Sequence, residues 1–450
     1  MLVLSLPDLH PVAKQSQIDL GYELRLDLFP CVEIEAIRSF LEQTQNPVIL
    51  TLRKKTLVGE EERKAFIIKY LDLHPPYFDL EYDIDPSFFR FVIEKYLKTK
   101  FIVSYHNFEQ TPSDLEEIYS LMQKKKAYHY KIACLANSTN DALKLLLFAK
   151  KHAIHGVSVI SMGERGQFAR VLGPVVGNWL NFAALPNFPT APGQLTVSEL
   201  LHLYNFSSLN SQTSIYGLIG DPVEKSIGHI YHNKVFRERN VNAVYVKMRV
   251  KAEELAEFVP LATELGIKGL SVTIPHKEQI VPFLKNIEPL SKEIGAINTI
   301  CLENMEGTNT DGVGALDAIE KKMKVAGKKI VLFGAGGSAR AIAFEAKKRG
   351  AFLVILNRNE QRAKDLAKQV GSASGKLEEV PHDTDILINC TPELPIHPAM
   401  YQKAALAMDV VYEPRKTPFL QEAEKQGCEL VFGEEMFVNQ AKGQTAYWIG

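Results

Sequence analysis

The sequence predicts an α/β protein in which an N-terminal (β/α)8 barrel is followed by a two-lobed α/β unit, whose second lobe is of the Rossmann type. Three observations carry this prediction. Short apolar runs alternate with amphipathic stretches up to about residue 205. A polar segment rich in Ser and Asn, Asn205–Ser214, then interrupts the pattern like a linker. Further on, the apolar strand Lys328–Phe333 runs directly into a glycine-rich turn and a helix.

The barrel prediction rests on eight candidate strands, with amphipathic stretches such as Ser113–Lys125 between most of them. The strands are Met1–Leu6, Leu20–Leu26, Pro47–Leu52, Phe78–Glu81, Phe101–Tyr105, Tyr130–Cys134, Val157–Ser161 and Asn181–Ala184. We therefore place one domain at residues 1–208, a second at 209–310 and a third at 311–450. The third ends in a helix over Glu434–Trp448.

Composition narrows the class of protein. The formal net charge of −1 argues against a general nucleic-acid-binding or anionic-membrane-binding surface. No apolar stretch reaches the length of a membrane span, and the N-terminus resembles a first strand rather than a signal peptide. The five cysteines have no metal-ligand spacing, which favours free thiols, no metal site and a cytoplasmic location.

The most specific signal is Gly334-x-Gly336-x-x-Ala339 between a strand and a helix. Gly334 permits a tight turn, Gly336 lets the backbone approach a pyrophosphate, and Ala339 allows close packing of the helix on the strand. The N-terminus of the helix supplies NH groups and its dipole to the anion. These features predict a dinucleotide site.

The next predicted strand, Phe352–Leu356, ends in Asn357-Arg358-Asn359. NAD enzymes commonly place an acid there to bind the ribose 2′-hydroxyl. An arginine stands in its place here, and Arg362 follows one helical turn later. Two guanidinium groups suit a 2′-phosphate, which favours NADP over the alternative of two solvated arginines.

Four upstream segments place small polar residues at strand ends or turns, where a polyhydroxylated substrate could be bound. They are Tyr216–Asn233, Gly269–Lys277, Gly295–Thr299 and Gly307–Gly312. Lys277 and Asp311 are the pair among them suited to proton chemistry, because ketone reduction needs a proton donor as the hydride arrives. By composition alone, the same pair could be a plain salt bridge.

In this order the motifs resemble those of shikimate dehydrogenase, from about residue 214 to the C-terminus. The resemblance implies that residues 209–310 form the substrate-binding lobe and that Lys277 and Asp311 are the catalytic pair. It implies substrate contacts from Ser226, Thr273, Asn298, Tyr412 and Gln440. It implies NADP contacts from Gly334, Ala335, Gly336, Gly337, Asn357, Arg358, Arg362 and Gly433.

One position departs from this family. The family usually reads Ser-x-Ser in its first motif, whereas this chain reads Ser226-Ile227-Gly228. The missing hydroxyl leaves room for a bulkier acid such as quinate. A quinate dehydrogenase is therefore a second hypothesis.

The segments Ile102–Pro112, Tyr130–Cys134, Ser161–Gly173 and Thr190–Val197 resemble type I 3-dehydroquinate dehydratase. Lys131 lies among apolar strand neighbours, where desolvation and nearby arginines would lower its pKa and free the amine to form an imine with a ketone. His106, at the end of the preceding strand, is the expected base. The resemblance implies substrate contacts from Glu23, Arg25, Arg53, Arg170, Thr190 and Gln194.

A second departure lies after Arg53. The family usually has an acid four residues after this arginine that orients the histidine, and Leu57 occupies that place here. Glu60 or Glu61 could substitute for it. A barrel that has lost catalysis and serves as a scaffold or ligand sensor is the alternative that Leu57 favours.

Taken together, the resemblances imply a bifunctional enzyme of the shikimate pathway. The barrel would convert 3-dehydroquinate to 3-dehydroshikimate, and the second half would reduce that product to shikimate with NADPH. The fusion is chemically coherent, since the product of one half is the substrate of the other.

Overall fold

The computed structural model describes residues 1–9, 20–29, 33–54, 59–401 and 403–450. The chain forms two compact units. The first comprises Met1–Ser214, Phe236–Met248 and Ala256–Leu265. The second comprises Ile215–Val235, Arg249–Leu255 and Gly266–Gly450.

Eight parallel strands form the barrel, in the neighbour order β7-β6-β5-β4-β3-β2-β1-β8. Their bounds are β1 Leu2–Leu6, β2 Gly21–Arg25, β3 Val48–Thr51, β4 Tyr77–Glu81, β5 Lys100–Asn107, β6 His129–Leu135, β7 Val157–Met162 and β8 Asn181–Ala183. Every strand predicted for the barrel is confirmed, because short apolar runs bounded by turn residues are typical of strands.

Helices follow six of these strands: α1 Ile34–Gln43, α2 Glu60–Leu71, α3 Pro86–Lys95, α4 Leu115–Gln123, α5 Thr139–His152 and α6 Gln167–Val171. Local sequence explains where they begin. The Asp85 side chain accepts a hydrogen bond from the Phe88 amide at the start of α3, and Pro86 occupies its first turn. Ser138 and Asp141 form a capping box at the start of α5.

The barrel is closed between β7 and β8 by side chains rather than by a strand ladder. Asn178 Nδ2 donates to the Val159 carbonyl at 2.7 Å, and its Oδ1 accepts from the Val159 amide at 3.0 Å. Ser158 Oγ accepts from the Leu180 amide at 2.9 Å. These bonds satisfy backbone groups that a complete ladder would otherwise pair.

The next elements along the chain are β9 Ser214–Gly220, α7 Gly228–Glu238, β10 Ala243–Arg249, α8 Leu255–Leu265, β11 Ile267–Val272, α9 His276–Gln279, β12 Asn286–Ile287, α10 Pro289–Ile294, β13 Thr299–Cys301, β14 Glu306–Thr308 and α11 Asp311–Glu320. β9 runs parallel to β11, whereas β13 runs antiparallel to both β11 and β14. The end of β11, the start of β13 and the end of β14 therefore meet at one edge of the sheet.

The remaining elements are β15 Lys329–Phe333, α12 Gly337–Lys348, β16 Phe352–Leu356, α13 Glu360–Val370, β17 Ala373–Gly375, β18 Ile386–Asn389, β19 Leu406–Asp409, α14 Pro418–Lys425, β20 Glu429–Val431 and α15 Gly433–Ile449. Their sheet is parallel, in the order β17-β16-β15-β18-β19-β20. This doubly wound order confirms the Rossmann prediction and places a ligand crevice beyond the carboxyl ends of β15 and β18.

Within the described ranges, no helix is long and apolar enough to cross a membrane. The same residues contain no group of three or more His, Cys, Asp or Glu side chains that could hold a metal ion. Four cysteines, Cys134, Cys301, Cys390 and Cys428, are free thiols, while Cys31 lies outside the described residues.

Candidate active sites

The barrel encloses a pocket of about 510 Å³, including its open mouth. Since the eight strands are parallel, the residues near their carboxyl ends converge on this one mouth. Every described residue that the sequence predicted for the barrel site lines the pocket: Glu23, Arg25, Arg53, His106, Lys131, Arg170, Thr190 and Gln194.

Lys131 is the buried centre of this pocket, with a side chain only 5% exposed. Its Nζ forms an ion pair with Asp79, lies 3.7 Å from Glu23 Oε1 and lies 4.9 Å from the centre of the Phe182 ring. Burial lowers the pKa of Lys131 and Arg53 lowers it further, while Asp79 and Glu23 oppose the change. The net direction is downward, which makes it easier for the paired ammonium to release the proton that it must lose before the nitrogen attacks a carbonyl.

Glu23 is held from both sides by strand hydroxyls. Ser5 Oγ on β1 donates to Glu23 Oε2 at 2.7 Å, and Thr51 Oγ1 on β3 donates to Glu23 Oε1 at 3.0 Å. Burial acts to raise the pKa of Glu23, but Lys131 and the neighbouring arginines outweigh it, so the pKa is lowered. The carboxylate is therefore charged and fixed in orientation.

His106 lies on β5, beside β6 that carries Lys131. Burial, followed by the positive charges of Arg53 and Lys131, lowers the pKa of His106 well below 6.5. Its Nδ1 is buried and has no hydrogen-bond partner among the described residues, and its ring stacks on Phe108 with centroids 5.9 Å apart. The imidazole is therefore neutral at pH 7, as a general base must be.

The loop at 190–194 closes one side of the pocket. Gln194 Oε1 accepts from the Thr190 amide at 2.7 Å and the Ala191 amide at 3.1 Å. Arg25 donates to the Thr190 carbonyl at 3.3 Å, and Arg170 donates to the Pro192 carbonyl at 3.0 Å. The two arginines thus tether the loop that carries the predicted substrate contacts.

The predicted replacements for the missing acid lie at the start of α2. Glu61 pairs with Lys64 at 2.8 Å, and Glu60 lies 3.5 Å from Arg63. Both side chains therefore make their ion pairs within the helix. Leu57 itself lies outside the described residues.

In the second unit, Lys277 Nζ and Asp311 form an ion pair between the short helix α9 and the first residue of α11. Ser338 joins them from the first turn of α12. Its Oγ accepts from Lys277 Nζ at 3.0 Å and donates to Asp311 Oδ2 at 3.0 Å. A Cβ added at Gly337 would come within 3.2 Å of the Lys277 side chain, so the glycine lets α12 approach this closely.

Asn298 connects this pair to the closing helix α15. Its Nδ2 donates to Asp311 Oδ1 at 2.7 Å, to Thr310 Oγ1 at 2.9 Å and to Gln440 Oε1 at 3.3 Å. The structure therefore brings together four of the predicted residues, Lys277, Asp311, Asn298 and Gln440.

Ser226 and Tyr412 form a second pair. Tyr412 hydrogen-bonds Ser226 and donates to the Lys225 carbonyl at 3.3 Å, and burial raises the pKa of Tyr412. Ser226 Oγ also accepts from the Gly228 amide at 3.2 Å. Thr273 lies just past β11, and its methyl group lies where a side chain on Gly220 would point.

The glycine turn after β15 has the geometry of an anion cradle. Gly334 has φ +117°, a conformation that side-chain-bearing residues rarely adopt. A Cβ on Gly336 would project into space with no described atom within 4 Å, which leaves room for a phosphate at the start of α12. These residues fit the diphosphate of a dinucleotide.

The residues after β16 present the predicted phosphate-binding arginines. Arg358 is exposed, and Arg362 pairs with Glu278 at 3.4 Å. Asn357 Nδ2 donates to the Asn359 carbonyl at 2.9 Å. Gly433 begins α15, where a Cβ would clash with the Val411 carbonyl at 2.7 Å.

Sequence models of three known protein families match successive parts of this chain. The model for type I 3-dehydroquinase matches residues 5–211, that for the shikimate dehydrogenase substrate binding domain matches 218–300, and that for shikimate / quinate 5-dehydrogenase matches 317–407. The bifunctional 3-dehydroquinate dehydratase/shikimate dehydrogenase, chloroplastic, of Arabidopsis thaliana is 34% identical, over 95% of this chain and 77% of its own. The chain belongs to the bifunctional 3-dehydroquinate dehydratase/shikimate dehydrogenase family.

Other relatives cover nearly all of the chain or its dehydrogenase half. The shikimate biosynthesis protein AroDE of Chlamydia pneumoniae is 34% identical, over 95% of this chain and 89% of its own. A crystal structure of a shikimate dehydrogenase in complex with NADP+ is 36% identical, with a TM-score of 0.51, over 54% of this chain and 92% of that one. The crystal structure of shikimate 5-dehydrogenase from Thermus thermophilus in complex with NADP(H) and shikimate is 28% identical, with a TM-score of 0.50. The match covers 53% of this chain and 94% of that one.

Two residues whose side chains hydrogen-bond the predicted catalytic side chains were missed from the sequence. Asp79 lies in the apolar strand Tyr77–Glu81, and its only signal is a charge at a position that faces the interior of the dehydratase barrel. Ser338 lies inside the glycine-rich motif of the dehydrogenase, where the motif itself draws attention to the cofactor. Both become visible only through their tertiary contacts.

Proposed function

We propose residue roles for the two activities of this family, the dehydration of 3-dehydroquinate to 3-dehydroshikimate and its NADPH-dependent reduction to shikimate. The observation that carries the first assignment is a fully buried lysine whose pKa is lowered, in one pocket with a histidine kept neutral. The observation that carries the second is the Lys277–Asp311 pair facing the first turn of the nucleotide-binding helix.

In the barrel, Lys131 Nζ forms a C=N bond with the carbonyl carbon of the substrate, and the carbonyl oxygen leaves as water. His106 removes a proton from the carbon next to the imine, and the released electron pair is drawn toward the C=N bond. The imidazolium then returns this proton to the departing hydroxyl group, which leaves as water. Hydrolysis of the imine frees the product and restores Lys131.

The pocket suits an anionic, polyhydroxylated substrate. Arg170 Nε is buried without a hydrogen-bond partner among the described residues, and burial lowers the pKa of Arg170 to about 10. A substrate carboxylate would satisfy this donor and restore a charge partner. The remaining contacts to the carboxylate and hydroxyls come from Glu23, Arg25, Arg53, Thr190 and Gln194.

In the dehydrogenase, bound NADPH supplies the hydride. The Lys277 ammonium donates a proton to the carbonyl oxygen of 3-dehydroshikimate, while Asp311 and Ser338 hold the ammonium in place. We assign the substrate to Ser226, Thr273, Asn298, Tyr412 and Gln440. We assign NADP(H) to the turn Gly334–Gly337, to Asn357, Arg358 and Arg362 at the 2′-phosphate, and to Gly433.

We also assign the enzyme to the cytoplasm. The four described cysteines are free thiols, as is usual in a reducing compartment. The Arabidopsis thaliana relative is named as chloroplastic. Fractionation of cells that express the native chain tests this assignment, and recovery of the protein in a membrane-enclosed organelle or outside the cell would contradict it.

A coupled assay on the native chain tests both activities together. Adding 3-dehydroquinate and NADPH should oxidise one NADPH for each 3-dehydroquinate consumed, because the product of the barrel is the substrate of the dehydrogenase. NADPH oxidation with 3-dehydroshikimate but none with 3-dehydroquinate would favour a barrel that serves as a scaffold or sensor. No oxidation with either compound would contradict the dehydrogenase assignment.

A second candidate, preference for quinate, is favoured by one observation. Gly228 begins α7 and leaves no hydroxyl next to Ser226, where the family usually has one. Comparing kcat/KM for quinate and shikimate decides between them. If the space at Gly228 admits the bulkier acid, Gly228→Ser should lower the quinate-to-shikimate ratio, and an unchanged ratio would rule out this role.

A further inference from the structure

Asp79 is a wholly buried carboxylate at the centre of the barrel. Its side chain is 0% exposed. Arg53 donates to it with two nitrogens, at 2.9 and 3.0 Å, and Ser104 Oγ donates to Oδ1. The fourth donor is Lys131 Nζ, which donates to Asp79 Oδ2. The carboxylate thus bridges Arg53 to the lysine that is proposed to react.

The charges around Asp79 are balanced, and their side chains are almost wholly buried. Two cations, Lys131 and Arg53, face two carboxylates, Asp79 and Glu23. Burial alone would raise the pKa of Asp79, but Arg53, Lys131 and His106 hold it well below its ordinary range. Asp79 is therefore a fixed negative charge at neutral pH rather than a group that accepts protons.

Imine formation keeps the positive charge on the lysine nitrogen. A protonated amine and a ketone give a protonated imine and one water. The C=N bond forms, the C=O bond breaks, and two protons move from nitrogen to the departing oxygen. Because the charge at nitrogen is unchanged, a carboxylate that matches the ammonium also matches the iminium.

We propose that Asp79 is the permanent counter-ion of the Lys131 nitrogen and keeps the imine protonated while His106 removes the neighbouring proton. Only the protonated imine is a strong electron sink, so this charge acts on the rate of proton removal. Arg53 and Ser104 fix the direction of the carboxylate. The proposal rests on the assignment of the imine to Lys131.

The charged and titratable groups around Asp79 come from strands β2, β4, β5 and β6 and from the segment after β3. They are Glu23 and Arg25 on β2, Arg53 after β3, Glu81 on β4, His106 on β5 and Lys131 on β6. Removing the charge of Asp79 leaves the cations in excess. The iminium should then lose its proton at a lower pH than in the native enzyme.

The test is Asp79→Asn in the full chain, with Asp83→Asn as the matched control. Asp83 pairs with Lys54 at the exposed edge of the barrel, so its variant loses a carboxylate without touching the buried set. Loss of a charge-assisted contact predicts a fall in dehydratase kcat of roughly ten- to hundred-fold. The alkaline limb of the kcat profile should also move to lower pH, and part of the lost rate should return on acidification.

Borohydride reduction separates this proposal from the one on which it rests. Asp79→Asn should still be labelled at Lys131 by 3-dehydroquinate at the acidic end of its pH range. A loss of kcat that is equal at every pH, or a native rate, overturns the role of Asp79. Absence of labelling in the native chain would instead remove the assignment of the imine to Lys131.

If Asp79→Asn does not fold, the native chain still provides a test. With Asp79 as counter-ion, reductive labelling of Lys131 should persist into the alkaline range, because the imine stays protonated there. Labelling that fades as the pH rises through neutrality overturns the proposal.

Discussion

The chain pairs a lysine with an aspartate twice, in two different settings. In the barrel, the Lys131 and Asp79 side chains are 5% and 0% exposed and come from strands that face the interior. In the dehydrogenase, the Lys277 and Asp311 side chains are 16% and 6% exposed and come from helix starts at a crevice. The dry setting lowers the pKa of Lys131 and suits covalent chemistry, whereas the crevice suits transfer of a proton to a bound substrate.

The second difference is what surrounds each pair. Asp79 is shared between Lys131 and Arg53, so its direction is fixed by a second cation. Asp311 is shared with Asn298 and Ser338, which are neutral. In the roles that we propose, Lys277 passes its proton to substrate in each cycle, whereas the Lys131 nitrogen keeps its positive charge beside Asp79.

The largest expected effect is on Lys131. A single proton-transfer group typically supplies about 10²–10⁴-fold in rate. Lys131→Ala should reduce dehydratase turnover by a larger factor than this, because no imine can form. Reduction of 3-dehydroshikimate by the same variant should stay near the native rate. Lys126→Ala, at an exposed position between α4 and β6, is the matched control. Substantial dehydratase activity in Lys131→Ala would break the contrast between the two lysines.

Lys277→Ala should come next. We expect dehydrogenase kcat to fall by about 10²–10⁴-fold, because proton transfer is lost while the hydride donor remains. NADPH affinity, measured by fluorescence titration, should change little, and Lys292→Ala on the exposed face of α10 should change neither quantity. A fall in NADPH affinity as large as the fall in kcat would make Lys277 a binding residue instead.

Arg358→Ala should have an intermediate effect, confined to one cofactor. Losing a charge-assisted hydrogen bond to the 2′-phosphate predicts a roughly ten- to hundred-fold weaker affinity for NADPH. NADH affinity should be unchanged because that cofactor has no such phosphate. Arg90→Ala, at an exposed position on α3, controls for the general loss of a positive charge. Equal losses for both cofactors would show that Arg358 does not bind the phosphate.

Ser338→Ala probes the neutral surroundings of Lys277. Ser338 hydrogen-bonds the charged groups of Lys277 and Asp311, and the ion pair between those two residues stays in the variant. We therefore expect a net loss of about 0.5–1.5 kcal/mol, which corresponds to a fall in dehydrogenase kcat of about two- to tenfold. Since Ser338 positions Lys277, KM for 3-dehydroshikimate should be nearly constant. Ser372→Ala in the same lobe is the control, and equal kcat in both variants would assign Ser338 a purely structural role.

The smallest expected effect is that of mild acidification on the barrel. A base works when it is neutral, and the pKa of His106 is lowered well below 6.5. Dehydratase kcat/KM should therefore stay level as the pH falls from neutrality to 6.5 and decline only as it passes through the lowered pKa. A decline centred near 6.5 would mean that His106 lacks the burial and the cationic neighbours described above.

Much of this organisation was predictable from the sequence, because it is encoded locally. The strand that carries Lys131 and the strand–turn–helix at Gly334 are marked by apolar runs between turn residues, and both are confirmed. The pocket residues of the barrel also follow, since parallel strands bring their carboxyl ends together.

What could not be predicted depends on partners that are distant in the chain. Asp79 is one acid in the strand Tyr77–Glu81, and nothing near it in sequence indicates that Lys131, 52 positions later, will be its partner. The same holds for Asn178, which replaces part of a strand ladder by bonding to Val159. Such roles follow from three-dimensional register, which short sequence patterns do not contain.

Lys131 is the residue on which the proposed dehydratase chemistry depends most, because it forms the bond to substrate. Incubating the native chain with 3-dehydroquinate, reducing with borohydride and mapping peptides by mass spectrometry tests this directly. We predict that the added mass of the reduced ligand lies on the peptide that contains Lys131 and disappears in Lys131→Ala. Label on a different lysine, or label that persists in Lys131→Ala, would contradict the account.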